Sequence, residues 1–255
     1  MSDVFPPRRP PSETSIDVWA IELGRPLDPG IKIDSILSID ERHRAERFVF
    51  AKDALRFRLC RAMLRMGLAW YLDKAPQEII LTTDSRGKPY LAESSALHFN
   101  VTHCEGLGLI AFTTLGEVGI DVEDSHRDVE ALDVASANFT SNETAMIAAA
   151  ETLREQASVF LRLWTRKEAV LKASGHGIQG GLATFDVSQQ PPAMVKLSRA
   201  SDVDSETCWL VQDLELANEF TGAVAAPAGD WSILQWPVRS EDLTHLFLRS
   251  RPGLL

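Results

Sequence analysis

Apolar residues recurring at helical spacing through residues 40 to 72 set the first constraint on this chain. Phe48, Leu55, Leu59, Met63, Met66 and Trp70 follow one another at intervals of three, four or seven, which predicts one long helix or two in series. A helix of that length buries its apolar stripe only against another element. The stretches after it supply candidates: "EIILTTD" reads as a strand, "SRGKPYL" as a turn leading into an extended piece, and "LHFNVTH" and "LGLIAFTT" as paired strands joined at "CEG". "GEVGIDVED" follows as a further strand, and "SIDVWAIEL" precedes the helical segment as another.

The pattern then repeats in kind. "TSNE", Thr140 to Glu143, has the form of a capping box and opens an alanine-rich helix. A longer helix is expected from about Arg154 to Ala173, with "TFDVS", "CWLVQDLEL", "FTGAVAA" and "WSILQW" as strands after it. Helix followed by strands, twice over, predicts an α+β protein of two similar halves, residues 16–116 and 117–240. The proline-rich first 15 residues read as a disordered lead-in and residues 241–255 as a tail.

Composition narrows the function. The 255 residues are 45% hydrophobic and 24% charged, which is ordinary globular usage. A net charge of −10 argues against nucleic acid as a partner, since such proteins usually carry a basic footprint. Within that acidic total, eight basic residues (Arg42, Arg44, Arg47, Lys52, Arg56, Arg58, Arg61 and Arg65) gather in one helical stretch, as a local anion site or as a solvated helix face. No apolar run approaches a membrane span and the N-terminus has no signal-like core, so a cytoplasmic protein that engages no membrane is expected. Cys60, Cys104 and Cys208 form no C-x-x-C pair and read as small buried hydrophobes.

The chemistry-bearing residues cluster in a few short stretches. "LWTRKEAVLKASGHGI", residues 163–178, stacks Trp164, Glu168 and Lys172 on successive turns of one helix side. Two accounts fit: a core-facing tryptophan with a surface Glu168–Lys172 pair, or a helix face in use at a site. "GHGIQG" matches a dinucleotide-binding spacing, but helix precedes it and strand follows, so a helix C-cap at Gly175 or Gly177 is the better reading. "GIDVED" places Asp121 and Glu123 on one face of a strand, with Ile120 and Val122 on the other facing the core. Like charges that close are unfavourable unless a cation lies between them, and with Glu168 alongside, three carboxylates offer the hard oxygens that Mg²⁺ takes. His103, flanked by Thr102 at a strand end, joins the Arg86-Gly87-Lys88 turn and the basic helix as possible phosphate contacts.

Together "GKPYL…HFNVTH…VGIDVED…FTSNE…LWTRKEAVLKASGHGI" resembles the ordered motif set of the 4′-phosphopantetheinyl transferases, in particular the large, monomeric group. The resemblance runs from about residue 40 to 225 and includes W-x-x-K-E-A-x-x-K from Trp164 to Lys172. It implies transfer of the phosphopantetheine arm of coenzyme A to a serine of an acyl or peptidyl carrier protein, with release of 3′,5′-ADP. It further implies halves related by a pseudo-twofold with the ligand cleft between them. Carried over by motif position, Asp121, Glu123 and Glu168 bind Mg²⁺, and Glu168 is the candidate base for the serine. Lys172 and His103 contact phosphates, Lys88 and its turn hold the nucleotide end, and Arg44 and Arg56 reach the 3′-phosphate. One position departs from the pattern: Glu41 stands where a lysine can occur.

Two other classes use comparable residues. A Mg²⁺-dependent phosphohydrolase would activate water in place of a protein serine, and a non-catalytic relative would bind a carrier or nucleotide without turnover. As a transferase, the chain is expected to present a carrier-docking surface within residues 138–160, through Met146 and Ile147 or through Arg154.

Overall fold

The computed structural model describes residues 6–23, 32–85, 87–177, 181–199 and 202–238, without the side chains of 198, 199 and 202–205. The chain is a mixed α+β protein. A first strand, β1 (Ser15–Glu22), is followed by helices α1 (Ile39–Glu46) and α2 (Ala51–Leu72), and then by the hairpin β2 (Leu81–Thr83) and β3 (Pro89–Leu91). Strands β4 (His98–His103), β5 (Leu107–Thr113) and β6 (Gly119–Asp124) come next. Three helices follow, α3 (Ala131–Asn138), α4 (Ser141–Ala148) and α5 (Leu153–Ser174), and then β7 (Ala193–Arg199), β8 (Asp202–Asp213), β9 (Phe220–Pro227) and β10 (Ser232–Val238).

The helical stretch from residue 40 to 72 is two helices in series. Ser38 caps α1: its hydroxyl accepts from Glu41 N while Glu41 Oε2 accepts from Ser38 N at 2.8 Å. Glu41 is buried, and the guanidinium of Arg65 donates to the same oxygen at 2.6 Å. A carboxylate at this position is therefore tied into the packing of α1 on α2. Of the three later helices, α4 and α5 also start at capping boxes, Thr140/Glu143 and Thr152/Glu155. The second has the same S/T-x-x-E spacing as the first in the sequence. At its far end α5 stops at Gly175, whose φ of 79° is the left-handed C-cap expected of the "GHG" stretch.

Two four-stranded sheets carry these helices, ordered β10-β1-β5-β4 and β6-β9-β8-β7. The last strand, β10, lies parallel to β1 and so completes the first sheet. One core fills the space under α2 with Trp19, Met63, Met66 and Phe112, and another surrounds α5 with Phe160, Leu163, Trp209 and Val211. A third joins the sheets through Ile16, Val18 and Leu109 on one side and Ile120, Val122 and Val224 on the other. At the seam, Asn100 Oδ1 on β4 accepts from the backbone of Ile120 on β6 at 3.0 Å. A side chain thus satisfies an edge-strand donor that has no ladder partner there.

Three segments differ from expectation. Residues 6–14, expected as a disordered lead-in, lie against the body: Pro6 O accepts from Trp70 Nε1 at 3.1 Å, and Arg8 pairs with Asp73 at 2.7 Å. "TFDVS", residues 184–188, is irregular chain leaving a 3₁₀ turn (Leu182–Thr184), because side chains satisfy its backbone donors: Val187 N donates to Glu143 Oε1 at 2.9 Å and Ser188 N to Asp186 Oδ1 at 2.8 Å. The strand lies later, at β7, where buried Ala193 and Val195 flank exposed Met194. The short α3 is a further element that the sequence reading did not include. Among the described residues no helix is long and apolar enough to cross a membrane, and the expected tail lies outside them.

The packing of β6 on α5 is close because residue 119 has no side chain. A Cβ there would overlap Ala169 O and Ala173 N of the helix backbone. Gly119→Ala is expected to lower the free energy of unfolding by more than the roughly 1–3 kcal/mol of ordinary core overpacking, since backbone cannot rotate away as a side chain can. Equilibrium urea denaturation measures it, and an unchanged midpoint would contradict the close approach.

Candidate active site

The strand β6 and the helix α5, held together at Gly119, bring the sequence-predicted acids and lysine into one place. Alternation along β6 sends Ile120 and Val122 into the third core and Asp121 and Glu123 to the opposite face. On α5, Trp164 stacks with Phe160 and Phe139 at ring separations of 5.8 and 6.3 Å. Glu168 and Lys172, one and two turns further on, face β6 instead of forming a surface pair: Glu168 is buried, and Lys172 Nζ donates to Asp121 Oδ1 at 2.6 Å and to Ile120 O at 3.0 Å. The first account holds for the tryptophan, which is packed on aromatic rings, but not for a surface pair: Glu168 and Lys172 face Asp121.

Thr102 Oγ1, reaching across from β4, donates to the same Asp121 oxygen at 3.1 Å. The other oxygen, Asp121 Oδ2, is buried without a hydrogen-bond partner, and so is Glu168 Oε1. Burial pushes the Glu168 carboxyl above its ordinary value, the neighbouring Asp121 and Glu123 charges push it further, and Lys172 opposes them. Glu123 is turned outward to Arg127, which donates to its Oε1 at 2.8 Å. Among the described residues, therefore, no three acidic or metal-binding side chains close on one point. Two unpartnered carboxylate oxygens next to a lysine nevertheless suit a hard divalent cation, which prefers oxygen donors and keeps several waters.

The residues expected to contact phosphates are only partly gathered here. His103, at the end of β4, has its imidazole held below the ordinary value, first by the protein packed around it and then by the positive charges of Arg56 and Lys172. α2 packs against β4, which lies beside β6 and so next to α5. Lys88 follows a tight turn with Gly87 at φ 84°, and donates to the backbone carbonyl of Lys172 at 2.9 Å and to Glu117 at 3.1 Å. Glu117, absent from the sequence reading, is pushed down to about 2, foremost by its hydrogen bond with His98 and then by Lys88. Arg56 pairs loosely with Asp53 at 3.4 Å, and Arg44 is exposed with its guanidinium 5.2 Å from the Phe57 ring. Arg86 lies outside the described residues. Within 138–160, Ile147 is buried, Met146 half-buried and Arg154 exposed, so Ile147 is not available as a docking contact.

A second residue missed by the sequence reading anchors α5 from behind. Lys167 is wholly buried and pairs with the equally buried Glu143 at 2.8 Å, while donating to Leu182 O and Phe185 O and lying over the Phe139 and Phe185 rings. Its spacing from Trp164 and Leu171, three and four residues, already set it on the inward side.

A family model described as "4′-phosphopantetheinyl transferase superfamily" matches residues 117–225, and one described as "4′-phosphopantetheinyl transferase, N-terminal" matches 31–114. A "Putative 4′-phosphopantetheinyl transferase slr0495" of Synechocystis sp. is 38% identical over 65% of this chain and 67% of its own. The "4′-phosphopantetheinyl transferase HetI" of Nostoc sp. is 31% identical over 89% of this chain and 96% of its own. The "4′-phosphopantetheinyl transferase Sfp" of Bacillus subtilis is 27% identical over 84% and 93%. With its mixed α+β fold and clustered acid–lysine site, the chain belongs to the 4′-phosphopantetheinyl transferase superfamily and is an enzyme of that class.

Two outcomes are expected. Lys167→Met leaves Glu143 buried without its cation and should cost about 3–5 kcal/mol in urea denaturation, whereas a cost near zero would mean that the pair does not anchor α5. Arg56→Ala removes a positive charge that depresses His103, so the imidazole should titrate at higher pH in an NMR titration; an unmoved titration would separate Arg56 from the site.

Proposed function

We propose that this enzyme transfers the 4′-phosphopantetheine group of coenzyme A to a serine hydroxyl of an acyl or peptidyl carrier protein, with Mg²⁺, and releases 3′,5′-ADP. The observation that carries this reading is the pair of buried, unpartnered oxygens, Asp121 Oδ2 and Glu168 Oε1, beside Lys172. Asp121 and Glu168 would hold the Mg²⁺, joined by Glu123 if its side chain turns from Arg127; the positive charge of the ion, when bound, would offset the negative charge of the pyrophosphate.

The chain's own residues supply the remaining requirements. Transfer forms a bond from the serine oxygen to the phosphorus of the pantetheine arm and breaks the pyrophosphate bond to 3′,5′-ADP, so the serine proton needs an acceptor and the leaving phosphate needs cations. Glu168 is the proton acceptor in this reading, as a buried carboxylate with an unpartnered oxygen beside Asp121 and Lys172. Lys172 and His103 face the phosphates, with Thr102 fixing Asp121 between them. The Arg86-Gly87-Lys88 turn holds the nucleotide end, and Arg44 and Arg56 meet the 3′-phosphate.

In this reading residues 16–116 and 117–240 are two halves related by a pseudo-twofold, with the ligand cleft between them. A 22-residue helix accompanies each four-stranded sheet, α2 in one and α5 in the other, which supports two halves, with β10 crossing back from the second stretch to pair with β1 in the first sheet. A cleft formed within one chain needs no second subunit, so the enzyme acts as a monomer, in the cytoplasm and on neither nucleic acid nor membrane.

Incubation of an apo carrier protein with the enzyme, coenzyme A and Mg²⁺, followed by mass spectrometry, tests the proposal. The carrier should gain one phosphopantetheine. Consumption of coenzyme A without carrier would indicate a phosphohydrolase instead. Glu168→Gln should lower transfer by about 10²-fold or more while coenzyme A still binds, and full activity of that variant at saturating Mg²⁺ would remove Glu168 as the base.

A further inference from the structure

Ten large apolar side chains are exposed among the described residues, and five of them fall between Ile39 and Leu55. Val49 is 89% exposed, Phe50 63%, Ile39 56%, Leu55 51% and Phe48 39%. Phe48, Val49 and Phe50 lie where α1 turns into α2, with Ile39 at the far end of α1 and Leu55 in the second turn of α2; the corner has a defined backbone, in which Arg47 closes α1, Phe50 is the extended N-cap of α2, and Phe48 rests on the Phe57 ring at 5.5 Å. Nothing in the folding of α2 requires the exposure, since its buried side starts at Leu59. An apolar corner of this kind on a protein surface marks a contact with a partner.

Charge and position say what the partner is. Exposed Arg47 and Lys52 flank the corner, with exposed Glu46 and half-exposed Asp53 beside them and Arg42 and Arg44 one turn back on α1, in a chain whose net charge is −10. α2, which starts at this corner, packs against β4, the strand that carries Thr102 and His103. A partner seated on the corner therefore meets the helix that backs the His103 strand.

We propose that the α1–α2 corner is a docking surface for the acceptor protein, which presents an acidic rim around an apolar face and so meets the cations and Val49–Phe50 together. This rests on the transferase function proposed above. The apolar residues carry affinity and the surrounding cations carry orientation and encounter rate.

Val49→Glu and Phe50→Glu place a carboxylate where the acidic, apolar-faced partner would sit. Both residues are outside the proposed coenzyme A and metal contacts, so each variant should raise the apparent KM for carrier protein by about tenfold or more, the scale for losing an interface anchor. The KM for coenzyme A and the thermal midpoint should stay at wild-type values. Arg47→Glu should lower kcat/KM for the carrier and flatten its dependence on salt.

Four results would overturn the inference. An unchanged carrier KM in both glutamate variants removes the corner from the interface. A shift in the KM for coenzyme A alone makes it a nucleotide contact, and a large fall in thermal midpoint means that the chain's own residues cover it. Co-sedimentation of the wild type with phosphatidylserine vesicles, abolished by Val49→Glu while carrier KM is unmoved, assigns the corner to a lipid surface. Absence of any transfer by the wild type would instead sink the proposed function, and the docking inference with it.

Discussion

Every charged group at the centre of this protein takes its place from the contact of β6 with α5 at Gly119. Because that residue has no side chain, the strand lies against the backbone of Ala169 and Ala173. From there the two periodicities do the rest. Alternation on the strand turns Asp121 and Glu123 away from the core, and the helical repeat turns Glu168 and Lys172 toward them. The Lys167–Glu143 pair behind α5 and the Lys88 contact with the carbonyl of Lys172 hold the helix from two further directions.

The resulting arrangement is electrostatically tense. Asp121 and Glu123 both raise the Glu168 carboxyl, and Lys172 offsets part of that repulsion by binding one Asp121 oxygen. The second Asp121 oxygen and one Glu168 oxygen are buried without partners, a state that costs free energy in a folded protein. Such cost is ordinary at functional sites, where groups are arranged for a ligand instead of for one another. Opposite the acids, His103 lies in the field of Arg56 and Lys172, so the surrounding charge changes sign across a short stretch of β4, α2 and α5. An anionic substrate and a divalent cation are complementary to that change.

Much of this was legible in the sequence because it rests on local pattern. The helical spacing through residues 40 to 72, the alternation in "GIDVED" and the capping box at Thr140 each report a short-range preference that tertiary packing reinforced. What escaped depended on distant partners. "TFDVS" has strand-like residues, but Glu143, more than forty positions away, takes the backbone donor of Val187. Lys167 reads as one more charge in "TRKEA", and its burial depends on meeting a carboxylate and two aromatic rings contributed by other elements. Glu117 likewise became visible only when the fold set it between His98 and Lys88. The acids and Lys172 were legible, but the contact of that lysine with Asp121 and the hold of Arg127 on Glu123 were not, because both depend on side-chain choice at the end of a strand.

The central claim is that the β6–α5 contact assembles a single cation and coenzyme A site from Asp121, Glu168 and Lys172. Crystallography of the protein soaked with coenzyme A and Mn²⁺, with anomalous data collected at the manganese edge, tests it most directly. The account predicts one anomalous peak between the Asp121 and Glu168 carboxylates, with the phosphates of coenzyme A against it and Lys172 turned to them. Coenzyme A bound elsewhere, or an Asp121–Lys172 pair left intact with manganese at another place, would contradict it.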